Sequence, residues 1–308
     1  MIIKSYKENG DNREYSISDI PENYHRGDMP EILDILLLDR TKTTKIKTKN
    51  IIWANDNYIK FSSKLYSAQR EILPKLVTGF MGDIIKPRAL KDSGIKKKRT
   101  KVNAEVFTPT WVVKNQIDDL IKSFASDNLV EFVNRSWIEI TAGEAPYMVT
   151  RYDMETGELI PINERVGFLD RKLSRINSSV FEKTEWHDLA IQAYKSSYGF
   201  EWNGDSLLLA RENLFFSYRD YYFDKWNENP NYEWQREIAV IISYNMFQMN
   251  GIDYTIPLSD TKERIVNNQL FFFEDDLEEK FIYKPGKRVK IMNWQKNKME
   301  FFDKGVNK

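Results

Sequence analysis

From residue 102 onward, short apolar runs alternate with segments of helical period, which predicts an α/β arrangement around a mostly parallel sheet. VFTPTWVVKNQIDDLIKSF places a turn at Thr108-Pro109, then an amphipathic helix with Val112, Val113, Ile117, Leu120 and Ile121 on one side. SWIEI (136–140) reads as a short strand running into the small-residue loop TAGEAP. HDLAIQAYKSSYG reads as a helix with Gly199 near its C-cap, and YGFEW as a second strand. DSLLLARENLFFSYRDYY follows as a strong helix opened by Asp205 or Ser206. EIAVIIS (237–243) reads as a further buried strand, and the Pro-Gly turn within FIYKPGKRVKIMNW signals a hairpin.

Residues 1–101 pattern differently and are expected to form an N-terminal extension to a domain over 102–308. They hold the acidic-apolar EILDILLLDR (31–40), the alternating NIIWANDNYIKF (50–61) and a helix-like SAQREILPKLVTGF interrupted by Pro74. KPRALKDSGIKKKRTK (86–101) carries eight basic residues against one acid and reads as an exposed loop.

Composition narrows the chemistry. The 308 residues include 41% hydrophobic and 14% aromatic positions, enough for a substantial core. Lysine plus arginine balance aspartate plus glutamate at 46 each, so any nucleic-acid surface must be local. The absence of cysteine excludes disulfides, thiolate metal sites and thiol nucleophiles, and His25 and His187 alone make a multi-histidine metal site unexpected. With no signal-like or membrane-length apolar run, a soluble cytoplasmic protein is the expectation.

Ligands of open α/β sheets bind where strand carboxyl ends feed loops and helices. Two such places stand out. Glu139-Ile140-Thr141-Ala142-Gly143-Glu144-Ala145-Pro146-Tyr147 lets a ligand approach the backbone, but matches neither a dinucleotide fingerprint nor a Walker loop. Phe200-Glu201-Trp202 ends a strand on a carboxylate able to accept both ribose hydroxyls, followed by an aromatic suited to an adenine face. Together they suggest an adenosine-containing ligand with little or no phosphate.

Segments 104–121, 138–153 and 197–214 resemble proteins called restriction endonuclease subunit M and, more broadly, N6-adenine DNA methyltransferases. The resemblance implies a Rossmann-like S-adenosylmethionine (SAM)-dependent methyltransferase sheet flanked by helices. It implies that Phe107, Thr108 and Pro109 pack on the methionine end of the cofactor. It also implies that Glu139, Thr141, Gly143, Pro146 and Tyr147 form the glycine-loop motif, with Glu201 on the ribose and Trp202 flanking adenine.

Two features depart from the family pattern. Residues 150–186 intervene between the glycine loop and the ribose acid, and are expected to form a hairpin and a helix. The catalytic Asn-Pro-Pro-aromatic motif is missing after EIAVIIS, where Tyr244-Asn245-Met246-Phe247-Gln248 stands instead. Asn245 is the candidate acceptor for the target amino group, and Tyr244 or Phe247 the candidate platform for a flipped base. Lys96, Lys97, Lys98, Arg99 and Lys101 are candidate contacts to the DNA backbone. The competing reading is a catalytically degenerate SAM- or DNA-binding partner subunit of a restriction–modification complex; a nuclease is weaker, for want of a D…[DE]-x-K constellation.

Overall fold

The computed structural model describes residues 26–42, 47–91, 94, 108–264 and 281–304. Phe107 and the basic residues Lys96, Lys97, Lys98, Arg99 and Lys101 lie outside the described residues. The architecture is mixed helix and sheet. Strands β1 (Trp137–Glu139), β2 (Ser197–Glu201) and β3 (Met246–Gln248) pair in parallel in the order 1-2-3. Helices α1 (Pro30–Leu37) and α2 (Ser63–Tyr66) precede the sheet, as do α3 (Thr110–Lys122) and α4 (Leu129–Val133). Helices α5 (Phe168–Ser179) and α6 (Lys183–Lys195) connect β1 to β2; α7 (Gly204–Trp226) and α8 (Tyr232–Asn245) connect β2 to β3. Two antiparallel pairs follow: β4 (Thr261–Arg264) with β5 (Phe281–Lys284), and β6 (Lys290–Asn293) with β7 (Lys298–Phe301).

Helix α7 is the centre of the molecule. Every residue from Gly204 to Tyr218 is buried, the signature of a helix surrounded on all sides. Its charged positions are tolerated because each finds a partner, which offsets the cost of desolvation. Glu212 takes both Nε and Nη2 of Arg26, and Asp205 accepts from Tyr58 Oη at 2.7 Å and Asn55 Nδ2 at 3.1 Å. Arg211 donates to the carbonyls of Leu36, Leu38, Ser243 and Met246, closing the C-terminal ends of α1 and α8 together.

The structure changes several expectations. EIAVIIS is helical, lying inside α8, because its burial follows helical spacing: Gln235, Ile238, Ala239, Ile242 and Asn245 face inward. Asn231 caps that helix by accepting from the Trp234 N–H at 2.9 Å. The third strand begins only at Met246. SAQREILPKLVTGF is not a helix. Pro74 lacks the required N–H and starts a 3-10 turn (Pro74–Leu76), while the residues before it pair with the NIIWAN run. Trp53 N–H donates to Arg70 O at 3.0 Å, and Ile72 N–H to Ile51 O at 2.8 Å.

Gly199 is inside β2 rather than at a helix end, where a Cβ would stand 2.8 Å from Met246 Sδ. Asn203, not Asp205 or Ser206, occupies the N-cap of α7. The Lys284-Pro285-Gly286 turn joins two strands that pair elsewhere, β5 with β4 and β6 with β7. The stretch 150–186 does contain a hairpin-like turn, with Tyr152 bridged to Leu159, and the helix α5.

The N-terminal segment is not a separate layer. Its Ile32, Leu36, Trp53, Ile72 and Ile85 share one hydrophobic cluster with Leu173, Ala190, Leu208 and Ile242. Its backbone comes close at Gly204, where a Cβ would lie 2.0 Å from Ile52 O, and where the Gly204 N–H donates to Trp53 O at 3.0 Å. Gly204→Ala is therefore expected to destabilise the protein by about 2–3 kcal/mol through overpacking against backbone. A lowered midpoint in urea unfolding, with release of the Ile51–Ala54 segment seen by hydrogen exchange, checks this.

Candidate functional site at the strand carboxyl ends

Glu139 and Glu201 end adjacent parallel strands. Glu139 stands opposite Gly199 and Glu201 opposite Gln248. Beyond β1 the backbone continues alongside β2, with the Ala142 N–H donating to Phe200 O at 2.8 Å. The loop then turns through three residues of positive φ: Thr141 at 48°, Gly143 at 57° and Ala145 at 63°. Two of these are not glycine, and strain of that kind is held only where surrounding contacts over-determine the backbone.

Those contacts come from the two acids. Glu201 accepts from the Gly143 N–H at 2.9 Å, and its other oxygen from the Asn203 N–H at 3.0 Å. Glu139 accepts from the Tyr147 N–H at 3.1 Å. Each acid is nearly sequestered, 6% and 7% exposed, yet Glu139 Oε2 has no hydrogen-bond partner among the described residues. Burial pushes the Glu139 carboxyl up to about 8, against the opposing pull of backbone N–H groups and with a further push from the Glu201 charge. Burial raises Glu201 as well. Glu139 is thus the proton-holding member of the pair, and a cation or donor beside it would favour its carboxylate.

The other expected loop residues take distinct places. Pro146 is buried, Thr141 exposed, and Tyr147 half-buried with its hydroxyl donating to Gln116 of α3. Thr108 and Pro109 are half-buried at the start of α3, Pro109 serving as its N-cap. That helix is tied to the region beyond the loop by Thr110 Oγ1, which donates to Asp153 at 2.7 Å. Trp202 is half-buried, and its indole N–H donates to Ala54 O at 2.8 Å, so the N-terminal segment fixes the ring. The structure thus brings Glu139, Gly143, Pro146, Tyr147, Glu201 and Trp202 to one end of the sheet.

It does not bring Asn245, Tyr244 and Phe247 there as acceptor and platform. Asn245 precedes β3, at the opposite end from the acids, and is 1% exposed. Its amide N–H groups point at the carbonyls of Tyr194 (2.8 Å), Ser197 (3.0 Å) and Lys195 (3.2 Å), and its oxygen accepts from Trp294 Nε1 at 2.8 Å. Tyr244 lies on the last turn of α8, under the Arg40 guanidinium and edge-on to Trp294. Phe247 is buried within β3 against Phe200 and Phe302.

The carboxyl end of β3 carries Gln248, Met249 and Asn250 instead, which the sequence reading passed over. Gln248 is buried, accepting from the Ile52 N–H and donating to Ile52 O and Trp202 O. Asn250 is half-buried, and its side-chain oxygen receives the Ile252 N–H. The available signal was the triplet Met246-Phe247-Gln248, two apolar residues closed by a polar one, whose end leaves the Asn250 amide at the same end of the sheet as the acids. Comparison with family models, curated proteins and solved structures gives no match to the chain.

Two outcomes follow from this geometry. Asn245→Ala should lower stability by about 2–4 kcal/mol, because carbonyls of β2 and the indole of Trp294 lose partners in a buried setting; denaturant unfolding checks it. Glu139→Gln should stabilise the protein increasingly between pH 5 and pH 8. Its raised folded pKa makes the native carboxyl bind a proton that the unfolded chain releases, so wild-type stability falls with rising pH across that window, and the amide is free of this effect. Thermal midpoints of the two proteins measured at pH 5 and pH 8 decide it.

Proposed function

We propose that the chain binds SAM at the carboxyl ends of β1 and β2 and serves methyl transfer to an amino group, adenine in DNA being the acceptor that the resemblance implies. The observation that carries this reading is the pair of buried acids joined by a strained small-residue loop, one of them with an unpartnered oxygen.

The residues fit the cofactor's chemistry. SAM carries an ammonium and a sulfonium, and a cation beside Glu139 Oε2 would supply the missing partner and favour the carboxylate. Among the described residues Glu201 Oε2 receives only the Gly143 N–H, which leaves capacity for a ribose hydroxyl. Trp202, fixed by its bond to Ala54, offers an aromatic wall for adenine. The cofactor supplies a methyl group already activated on sulfur. The protein's own part is to hold, orient and dehydrate the reacting groups. In this reading Asn250, rather than Asn245, is the amide placed to accept hydrogen bonds from the target nitrogen.

A second reading has one observation in its favour. Gln248, the polar residue at the very end of β3, spends its amide on Ile52 and Trp202, and no proline pair follows it. A SAM- or DNA-binding partner subunit without turnover would look like this.

Calorimetric titration with SAM and its demethylated product tests the site. Saturable binding near pH 7 should release a proton, visible as a dependence of the heat on buffer ionisation, because an entering cation lowers the Glu139 pKa from about 8. Glu139→Gln should abolish that release, and Glu201→Ala should weaken binding about 10- to 100-fold, as expected for hydrogen bonds to a charged group. A folded protein that binds neither ligand would sink the reading. Binding without methyl transfer to DNA, unchanged by Asn250→Ala, would favour the partner subunit.

A further inference from the structure

The C-terminal strands are chemically unlike the rest of the chain. Residues 281–304 hold seven lysines and arginines against two acids, in a protein whose total charge is zero. Both acids are engaged by basic neighbours: Arg288 spans Asp303, and Lys296 and Lys304 flank Glu300. Lys287, Lys290 and Lys298 remain exposed. Aromatic surface is interleaved with them. Phe301 is 39% exposed and Tyr283 55% exposed. The Arg288 guanidinium carbon lies 4.1 Å from the Phe301 ring centroid, with Lys290 Nζ at 4.8 Å.

The position of this surface gives it meaning. The segment is joined to the loop after β3 by backbone bonds: the Val289 N–H donates to Tyr254 O at 2.9 Å, and the Ile256 N–H to Lys287 O at 2.8 Å. Val289 is packed among Phe200, Phe247, Met249 and Ile256, with Phe302 against the same cluster. At the opposite end of β3, Trp294 binds Asn245. Hence Lys287 and Arg288 stand at the carboxyl end of the sheet, next to Asn250 and its loop, while Trp294 marks the far end.

We infer that the β6–β7 hairpin is a nucleic-acid surface, with Lys287 and Lys290 on phosphates and the Arg288–Phe301 stack receiving an unstacked base; Lys290 and Phe301 are cross-strand partners and share one face of the hairpin. Lysines without an acidic partner among the described residues attract a phosphate backbone, and a guanidinium plane seated on an aromatic ring is a platform for a base. The assignment rests on the proposed methyl-transfer reading for its purpose, but not for its chemistry. It places strand contacts on described residues, apart from the basic run at 86–101.

Fluorescence anisotropy of the full chain with labelled duplex DNA and with the single strand of the same sequence tests it, over a range of salt. The native protein should bind, with affinity falling steeply as salt rises. K287E/K290E should weaken binding at least about tenfold and reduce the log–log salt slope for duplex by about two, one phosphate contact per lysine. The neutral set K287Q/K290Q should show the same reduced slope, which separates lost contacts from added repulsion. F301A should weaken the single strand by about 5- to 100-fold, the range for one stacked base, and the duplex less.

Unchanged binding in both lysine sets, or no binding of either probe by the native protein at low salt, overturns the proposal. Each variant is also titrated with SAM. Retained SAM binding with lost DNA binding confirms a folded protein and the surface together. If the native chain binds DNA through these lysines but never binds SAM, the cofactor reading alone fails.

Discussion

A single buried guanidinium decides where the third strand of the sheet begins. Arg211 is fully enclosed in the central helix, and burial pulls its pKa down to about 9, so it remains charged at neutral pH. A charge so placed must satisfy its fixed fork of donors, and here every direction of the fork meets a carbonyl left open at a helix end. By holding Met246 O and Ser243 O it stops α8 and sets the first residue of β3; by holding Leu36 O and Leu38 O it stops α1. The register of β3 on β2, and with it the level at which Glu201 meets Gln248, follows from that anchor.

The two ends of the sheet are built on opposite principles. At the amino ends the buried charge and amide are matched, although the Trp137 indole N–H finds no partner among the described residues. Lys172 is buried and burial lowers its pKa to about 7, yet its ammonium donates to Arg135 O and Ser196 Oγ, each at 2.7 Å, while Asn245 closes the space beside them. Such an end serves stability. At the carboxyl ends the matching is left incomplete, with Glu139 pushed toward its protonated form and a loop in unfavourable backbone regions. Local rules broken in one place and kept in another are the mark of a site.

Much of this was legible in the sequence, and the failures have identifiable causes. The strands ending in Glu139 and Glu201 were readable because each is a short apolar run followed by loop-forming residues, and α7 because good helix formers and apolar residues recur over a long stretch free of proline. EIAVIIS misled because a run of β-branched and apolar residues looks alike in a buried strand and a buried helix; the capping Asn231 and the inward Gln235 and Asn245 resolve it only over a longer window. That one shift carried the expected catalytic position to the end of β3 opposite the two acids. The role of the N-terminal segment was not readable at all, since its ties to Gln248 and Gly204 span most of the chain and leave no local pattern.

Those long ties carry a consequence for how the protein is made. The Gln248 amide stands in for a strand's backbone, pairing with both the N–H and the C=O of Ile52 across a sequence separation of 196 residues. At about 5–20 residues per second, a ribosome that has just made Ile52 needs roughly 10–40 seconds to deliver its partner. For most of that interval, until β1 and β2 have been made, Trp53 and its apolar neighbours have no sheet to join. The segment thus emerges well before the residues that lock it, and the wall behind Trp202 is completed only after translation has passed the third strand.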